Sequence, residues 1–201
     1  MARLRRVTAA LGALAFLVLA APALAASATD AAGFVAGFVR QGADIAAAHE
    51  ALDRAALEPW RRLVAESLDL KAISAFVVGA AWSSASAGER DELTRLIGGQ
   101  IAALYARRVL ADRKAALAIT GSQAIGPQET LVASRLTKQD GAVESIDWLV
   151  RGVAASGFGI FDIVSDGQSL AAMKRSEYAI VLQRNRGDIT SLIEALRLDH
   201  Q

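Results

Sequence analysis

Cysteine is absent, histidine occurs twice and proline three times, and each scarcity removes a class of answer. Without cysteine there is no disulfide framework; an oxidising compartment permits such bonds but does not demand them. The only imidazoles are His49 and His200, the second beside the terminus, which argues against a serine triad and against a two-histidine metal site. After the first few residues no run of Lys or Arg continues unbroken by acidic or apolar residues, so the charge pattern is not that of a nucleic-acid binder. Aromatic residues make up only 5% of the chain, and interior volume must come largely from Ala, Val and Leu. There is also no second apolar run long enough to span a bilayer.

An N-terminal apolar run is present, but it is too short to cross a bilayer comfortably. Arg3, Arg5 and Arg6 precede an apolar stretch from Leu11 to Leu19, and Ala23-Leu24-Ala25 places small residues at the positions a signal peptidase reads. The sequence therefore predicts a secretory signal peptide over residues 1–25, general export, and a single exported domain over 26–201. Cleavage after Ala25 removes three of the 22 basic residues and none of the 21 acidic ones, leaving a net charge of −2 on 176 residues. A domain of that length buries roughly 70% of its unfolded surface and needs no staples.

Periodicity then divides the exported chain. Asp30 is placed to cap a helix with Phe34, Phe38 and Ile45 near one face. A second helical stretch starts around Ala51, with Pro59 expected at a helix start or a break. Leu63, Val64 and Leu68 continue the pattern from Trp60, and Asp69 caps a segment carrying Ile73, Phe76 and Val77. Ser83 to Gly88 reads as a loop. Ser86-Ala87-Gly88-Glu89 is a capping box, and the helix behind it carries Leu93, Leu96, Ile97, Ile101, Leu104 and Tyr105 on one stripe.

From Ala115 to Ser165 the period changes to that of strands, in four runs punctuated by Gly126-Pro127, Asp140-Gly141 and Gly157. Asp140-Gly141, between Leu131–Lys138 and Val143–Arg151, predicts a hairpin with a type I′ turn. In the third run Glu144, Ile146, Trp148 and Val150 alternate with Ser145, Asp147, Leu149 and Arg151. Two helices close the chain, from Ser169 to Arg184 and from Asp188 to Leu198, with Gly187 between them. Helices, then consecutive hairpins, then helices make an α+β pattern.

Chemistry is sparse on this scaffold. Asp162, Asp166, Glu177 and Asp188 lie close in sequence, but a turn at Asp166-Gly167 and an N-cap at Asp188 account for two of them. Gly157-Phe158-Gly159 lacks the rest of a dinucleotide fingerprint and reads as a loop leading into a strand. Phe76, Trp82, Tyr105, Trp148 and Phe161 fit either a filled core or the wall of a cavity. A twisted sheet with helices over one face forms a cone, and small residues where bulk is expected leave room inside it, or else serve close helix packing.

Two blocks carry a family resemblance. Phe76-Val77-Val78-Gly79-Ala80-Ala81-Trp82, the Ser-rich turn after it and Glu89 to Tyr105 form the first. The second is Ile160-Phe161-Asp162-Ile163-Val164, then Asp166-Gly167-Gln168-Ser169-Leu170, then Arg175-Ser176-Glu177-Tyr178. In order and spacing they resemble the MlaC family, also called the toluene-tolerance auxiliary family, over about Glu58 to Leu196. Ser83 stands where that family usually has Arg, Leu93 and Ile97 where it has aromatics, and Asp166 where Glu is commoner; the chain resembles a divergent member, with the hopanoid-associated branch as the expectation.

The resemblance implies an NTF2-like fold: a twisted antiparallel four-stranded sheet wrapped by helices around an apolar pocket. It further implies a periplasmic carrier of phospholipid or hopanoid-like lipid, the soluble component of an ABC transport system. Its partners would be an inner-membrane ABC transporter complex and an outer-membrane lipoprotein complex, with no cofactor, metal or catalytic residue. On that reading the lining is Phe76, Trp82, Ile97, Ile101, Tyr105, Val132, Ile146, Trp148, Phe161 and Ile163. Two other readings stand beside it. One is a pocket enzyme of isomerase or hydratase type using Asp147 or Asp162 beside Tyr105, although alternation puts Asp147 on the face opposite Trp148. The other is an adaptor with a solid core that acts through its surface alone. Arg175 fits a docking surface or a salt bridge holding the Asp166 turn.

Overall fold

A computed structural model of the chain describes residues 21–49, 51, 53–153 and 157–198. Most of the expected signal peptide, residues 1–20, lies outside the described residues, as does His200.

The N-terminal half is helical. α1 runs over Ala21–Ala48, so Asp30 sits inside it and does not cap its start as the sequence pattern suggested. The Ala-rich residues on both sides of Asp30 are strong helix formers and carry the helix through. α2 spans Arg54–Ser67 and is capped by Asp53, whose carboxylate accepts from the Ala56 amide at 2.8 Å. Pro59 lies within α2, against the expectation of a start or a break; only the one bond its missing N–H would have made is lost. α3 spans Leu70–Val78 with Asp69 as its cap, as read from the sequence. Part of the expected loop from Ser83 is instead a single helical turn, α4, over Ala81–Ser84.

The predicted capping box is closed in both directions. Ser86 Oγ accepts from the Glu89 amide at 3.3 Å and the Glu89 carboxylate accepts from the Ser86 amide at 2.8 Å. It starts α5, Ala87–Ala111, in which Leu93, Leu96, Ile97 and Ile101 are buried. Gly98, Gly99, Ala102 and Ala106 are buried too, because α5 lies in the middle of the helical layer and touches α1, α2, α3 and α7.

Five strands follow in the order β1-β2-β3-β4-β5, all antiparallel: Ala116–Gly126, Glu129–Thr137, Val143–Val153, Gly157–Ser165 and Gln168–Ser169. The first four are the predicted runs, and Gly157-Phe158-Gly159 belongs to β4 and is not a loop. The fifth, two residues long, was not read from the sequence. It exists because Asp166 and Gly167 both take positive φ, 47° and 81°, in the two-residue turn expected of a type I′ hairpin.

At Asp140-Gly141 that expectation fails: only Gly141 has positive φ, and Lys138 both accepts from the Gly141 amide and donates to the Ala142 carbonyl. The connection is a three-residue loop, steadied by the Asp140 carboxylate accepting from the Ala142 amide. α6, Leu170–Arg184, is capped by Ser169, and α7 spans Ile189–Leu198 with Asp188 accepting from the amides of Thr190 and Ser191.

The inner face of the sheet carries Val132 and Ser134 of β2, Glu144, Ile146, Trp148 and Val150 of β3, and Ile160 and Ile163 of β4, all buried. The outer face shows Ala118, Arg135 and Ser145, a cross-strand row that is exposed. α1 lies along β1 and β2, while α3 and α6 pack on β4, so the helices wrap an antiparallel sheet in the expected α+β architecture.

One irregularity aims the site. Leu149 pairs with Asp162 and Val150 with Ile160, leaving Phe161 as an extra residue, so two neighbouring β4 side chains, Ile160 and Phe161, are both buried. At the same place the α2–α3 junction docks on β4: Leu68 bridges Ile160, and the Asp69 amide donates to the Ile160 carbonyl at 3.0 Å. Gly159 makes the approach possible, since a Cβ there would stand 3.2 Å from that of Asp69.

Candidate functional site

The interior has two ends. The first is a cleft between α3, α5, β4 and α6, walled by Leu68, Ile73, Val77, Ile160 and Leu170 together with Ile97, Ile101, Phe161 and Ile163 from the predicted lining. Asp162, Ala171 and Lys174 complete its edge. The free space among these residues is about 10 Å³, room for about one water.

The second end holds the aromatic residues. Phe38 of α1 packs edge-on against both Tyr105 and Trp148, at centroid separations of 6.1 and 5.8 Å, and Phe34 tilts against Phe158 at 5.9 Å. Val132 and Ile146 share the sheet face of Trp148, so Tyr105, Val132, Ile146 and Trp148 form one layer beneath α1. Trp148 is fixed by its indole N–H, which donates to Ser134 Oγ at 2.9 Å, and Ser134 Oγ donates in turn to the Ile146 carbonyl.

Phe76 sits at the rim of the first end, exposed by 36%, with its ring against that of Phe161 and the Arg175 guanidinium over its face. Trp82 is on α4, outside the cleft walls, where Arg90 stacks on it and donates to its carbonyl. Arg175 does not bridge to Asp166: it donates to the Phe76 carbonyl at 2.7 Å and ties α6 to α3.

Among the described residues the cleft, expected to be open, is nearly filled, and rings pack over the sheet at the other end. Small residues do not hollow it out. Ala31, Ala46, Ala102 and Ala106, each no more than 2% exposed, are used to bring α1 and α5 close to their neighbours, and Phe38 fills what remains over the sheet.

Polar groups mark the edges. Glu144, buried on β3, accepts from Arg108 of α5 at 2.8 Å, pairs with Lys138 at 3.1 Å and is hydrogen-bonded by Ser165 of β4. Burial pushes its carboxyl up, but the Ser165 hydroxyl and the two cations prevail and hold it below the usual carboxylate range. Burial pushes the Tyr105 phenol above its ordinary value; Arg108 acts against that shift and Asp162 adds to it.

Asp162 is committed to structure. Its carboxylate accepts from Ser169 Oγ at 2.5 Å and from the amides of Ala171 and Ile163, which seats the start of α6. Asp147 is on the outer face, two positions along β3 from Leu149. Among the described residues no group of His, Cys, Asp and Glu could hold a metal ion, and no helix is long and apolar enough to cross a membrane.

Several walls were not read from the sequence: Leu68 and Ile160 join the cleft through the bulge at Phe161 and the bridge from Leu68, which are long-range features, and Leu170 and Ala171 enter with the start of α6, seated on Asp162. Phe34 and Phe38 were visible as one face of a helix, but nothing local said that the face would cover Tyr105 and Trp148.

Comparison with known proteins adds the following. The family model described as MlaC protein matches residues 41–198. No curated protein matches the chain. Among solved structures, a phospholipid-binding protein from Ralstonia solanacearum, determined in complex with a phospholipid, superposes with a TM-score of 0.68 at 19% identity, covering 82% of this chain and 93% of that one.

Proposed function

Because the chain belongs to the MlaC family, we propose that it is a periplasmic lipid carrier, the soluble component of an ABC transport system, exported with cleavage after Ala25. It takes one phospholipid-like molecule into its apolar interior and passes it between an inner-membrane ABC transporter complex and an outer-membrane lipoprotein complex. The observation that carries this reading is the family match over 41–198. The phospholipid held by the Ralstonia protein, on the same fold, supports it.

The physical demand is large. At ~0.8 kcal/mol per methylene, two long acyl chains carry on the order of 25 kcal/mol of unfavourable exposure in water, which no shallow surface groove offsets. The two ends of the interior together supply the apolar walls: Ile97, Ile101, Phe161 and Ile163 at one, Tyr105, Val132, Ile146 and Trp148 at the other, with Phe76 at the rim. The reading assigns the chain no covalent chemistry, since Asp162 is occupied in seating α6 and Asp147 faces away.

The filled interior favours a second reading, an adaptor with a solid core acting through its surface. Organic-solvent extraction of the exported protein, purified gently from a Gram-negative host, separates the two. The carrier reading expects about one lipid per chain, a phospholipid or a polycyclic hopanoid-like lipid according to branch. An extract without lipid leaves the adaptor.

A further inference from the structure

We propose that the solvent face of α6, together with the end of α3 beside it, is a docking surface for a bilayer rich in anionic lipid. The inference rests on the carrier reading above, which gives the chain a reason to meet a bilayer, and adds the face by which it does so.

Exposed apolar side chains gather here. Six large ones are exposed among the described residues, and three of them, Phe76, Met173 and Ile180, belong to α3 and α6. On α6 the buried side is Ala171, Tyr178 and Leu182. Met173, Ile180 and Arg184 follow one another by seven and four positions on the opposite side, with Met173 44% and Ile180 50% exposed. Phe76 joins them from α3, because the Arg175 guanidinium lies 4.8 Å from its ring centroid and donates to its carbonyl. The cleft is alongside: Phe76 packs on Phe161, and Lys174 of α6 stands at the cleft edge.

Charge names the occupant. Residues 70–78 and 170–187 hold Lys71, Lys174, Arg175, Arg184 and Arg186 against Glu177, five basic groups to one acidic, a net +4. The exported chain carries −2, so everything else in it sums to −6. Glu177 is itself paired with Lys174 at 2.6 Å, while Lys71, Arg175, Arg184 and Arg186 are exposed. Asp69 and Asp188 adjoin these segments but sit at the starts of α3 and α7, where the helix N-terminus offsets their charge. Met173 and Ile180 lie outside the cleft walls and project from the convex side of a helix. Cations spread around projecting apolar side chains suit a lipid surface better than a protein groove: anionic headgroups attract the charges, and the apolar tips enter the interface.

The test floats the exported chain with vesicles of phosphatidylglycerol or of phosphatidylcholine, at low and at high salt. The docking surface predicts binding to phosphatidylglycerol that salt weakens, and little binding to phosphatidylcholine. Arg184→Glu combined with Arg186→Glu should weaken that binding at least about tenfold, and Ile180→Asp should weaken it by a smaller factor. Both variants should melt close to wild type, since the side chains are exposed. Arg62→Glu with Arg107→Glu, two exposed arginines of α2 and α5, makes the same change in net charge outside the face and should bind as wild type does. Equal binding to both vesicle types, or an equal loss in the α2–α5 pair, overturns the inference. So does a chain that yields lipid on extraction yet floats with neither vesicle, which leaves the face to a protein partner and the carrier reading intact. A chain that floats with phosphatidylglycerol through this face but yields no lipid overturns the carrier reading and supports the docking surface.

Discussion

The two ends of the interior are built differently. Around Trp148 the packing is aromatic and edge-on, and a buried charge network holds β3 to α5 through Glu144 and Arg108. At the cleft, α3, α5, β4 and α6 meet mainly through aliphatic side chains, with a single edge-on ring pair, Phe76 and Phe161, at the rim, and the polar bonds to Asp162 serve the start of α6 rather than the walls. Aromatic rings held by directional contacts keep their shape, whereas Ile and Leu repack at small cost. Truncation is therefore expected to be absorbed more easily at the cleft end than at the aromatic end.

That contrast can be broken by truncating one residue at each end. Trp148→Ala should destabilise the protein by about 3–5 kcal/mol, since the lost indole leaves a cavity that the pinned sheet cannot close. Ile101→Ala should cost about 2–3 kcal/mol, the lower part of the range for such changes, because the cleft beside it can collapse. Urea unfolding of both variants decides; equal losses would mean that the two ends do not differ in rigidity.

A smaller effect sharpens the role of Glu144. Its carboxyl is held below the ordinary value in the folded chain, so it contributes stability that is full above the unfolded pKa of about 4.3 and is lost as pH falls through the folded value. Glu144→Gln should cost about 1–2 kcal/mol near pH 7, discounted because Arg108 and Lys138 are partly exposed. The gap between wild type and variant should close as the pH is lowered below about 4. Melting curves from pH 7 to pH 3 would show this, and a gap that stays constant would contradict it.

Much of this architecture could be read in advance, for physical reasons that differ by region. The four long strands announce themselves through period-two alternation and through Gly, Pro and Asp at their turns, and α5 through a capping box ahead of a long apolar stripe. The start of α1 was missed because alanine on both sides of Asp30 favours helix continuation over capping.

The state of the interior was left open between free room and close helix packing for a deeper reason. Composition reports the size of side chains but not how near two helices come, and Ala31, Ala46, Ala102 and Ala106 turned out to serve close approach. Likewise Arg175 was read as a surface or turn-holding residue, while its partner, the Phe76 carbonyl, lies 99 positions away in sequence.

The most direct measurement of whether hydrocarbon lies inside this protein uses Trp148 as the reporter. With Trp60 and Trp82 replaced by phenylalanine, the remaining indole fluoresces from the aromatic end, and phospholipids brominated along the acyl chain quench only at contact. The account predicts strong quenching by chain-brominated lipid once the protein is loaded. Bound lipid that leaves Trp148 unquenched would place the chains elsewhere and contradict it.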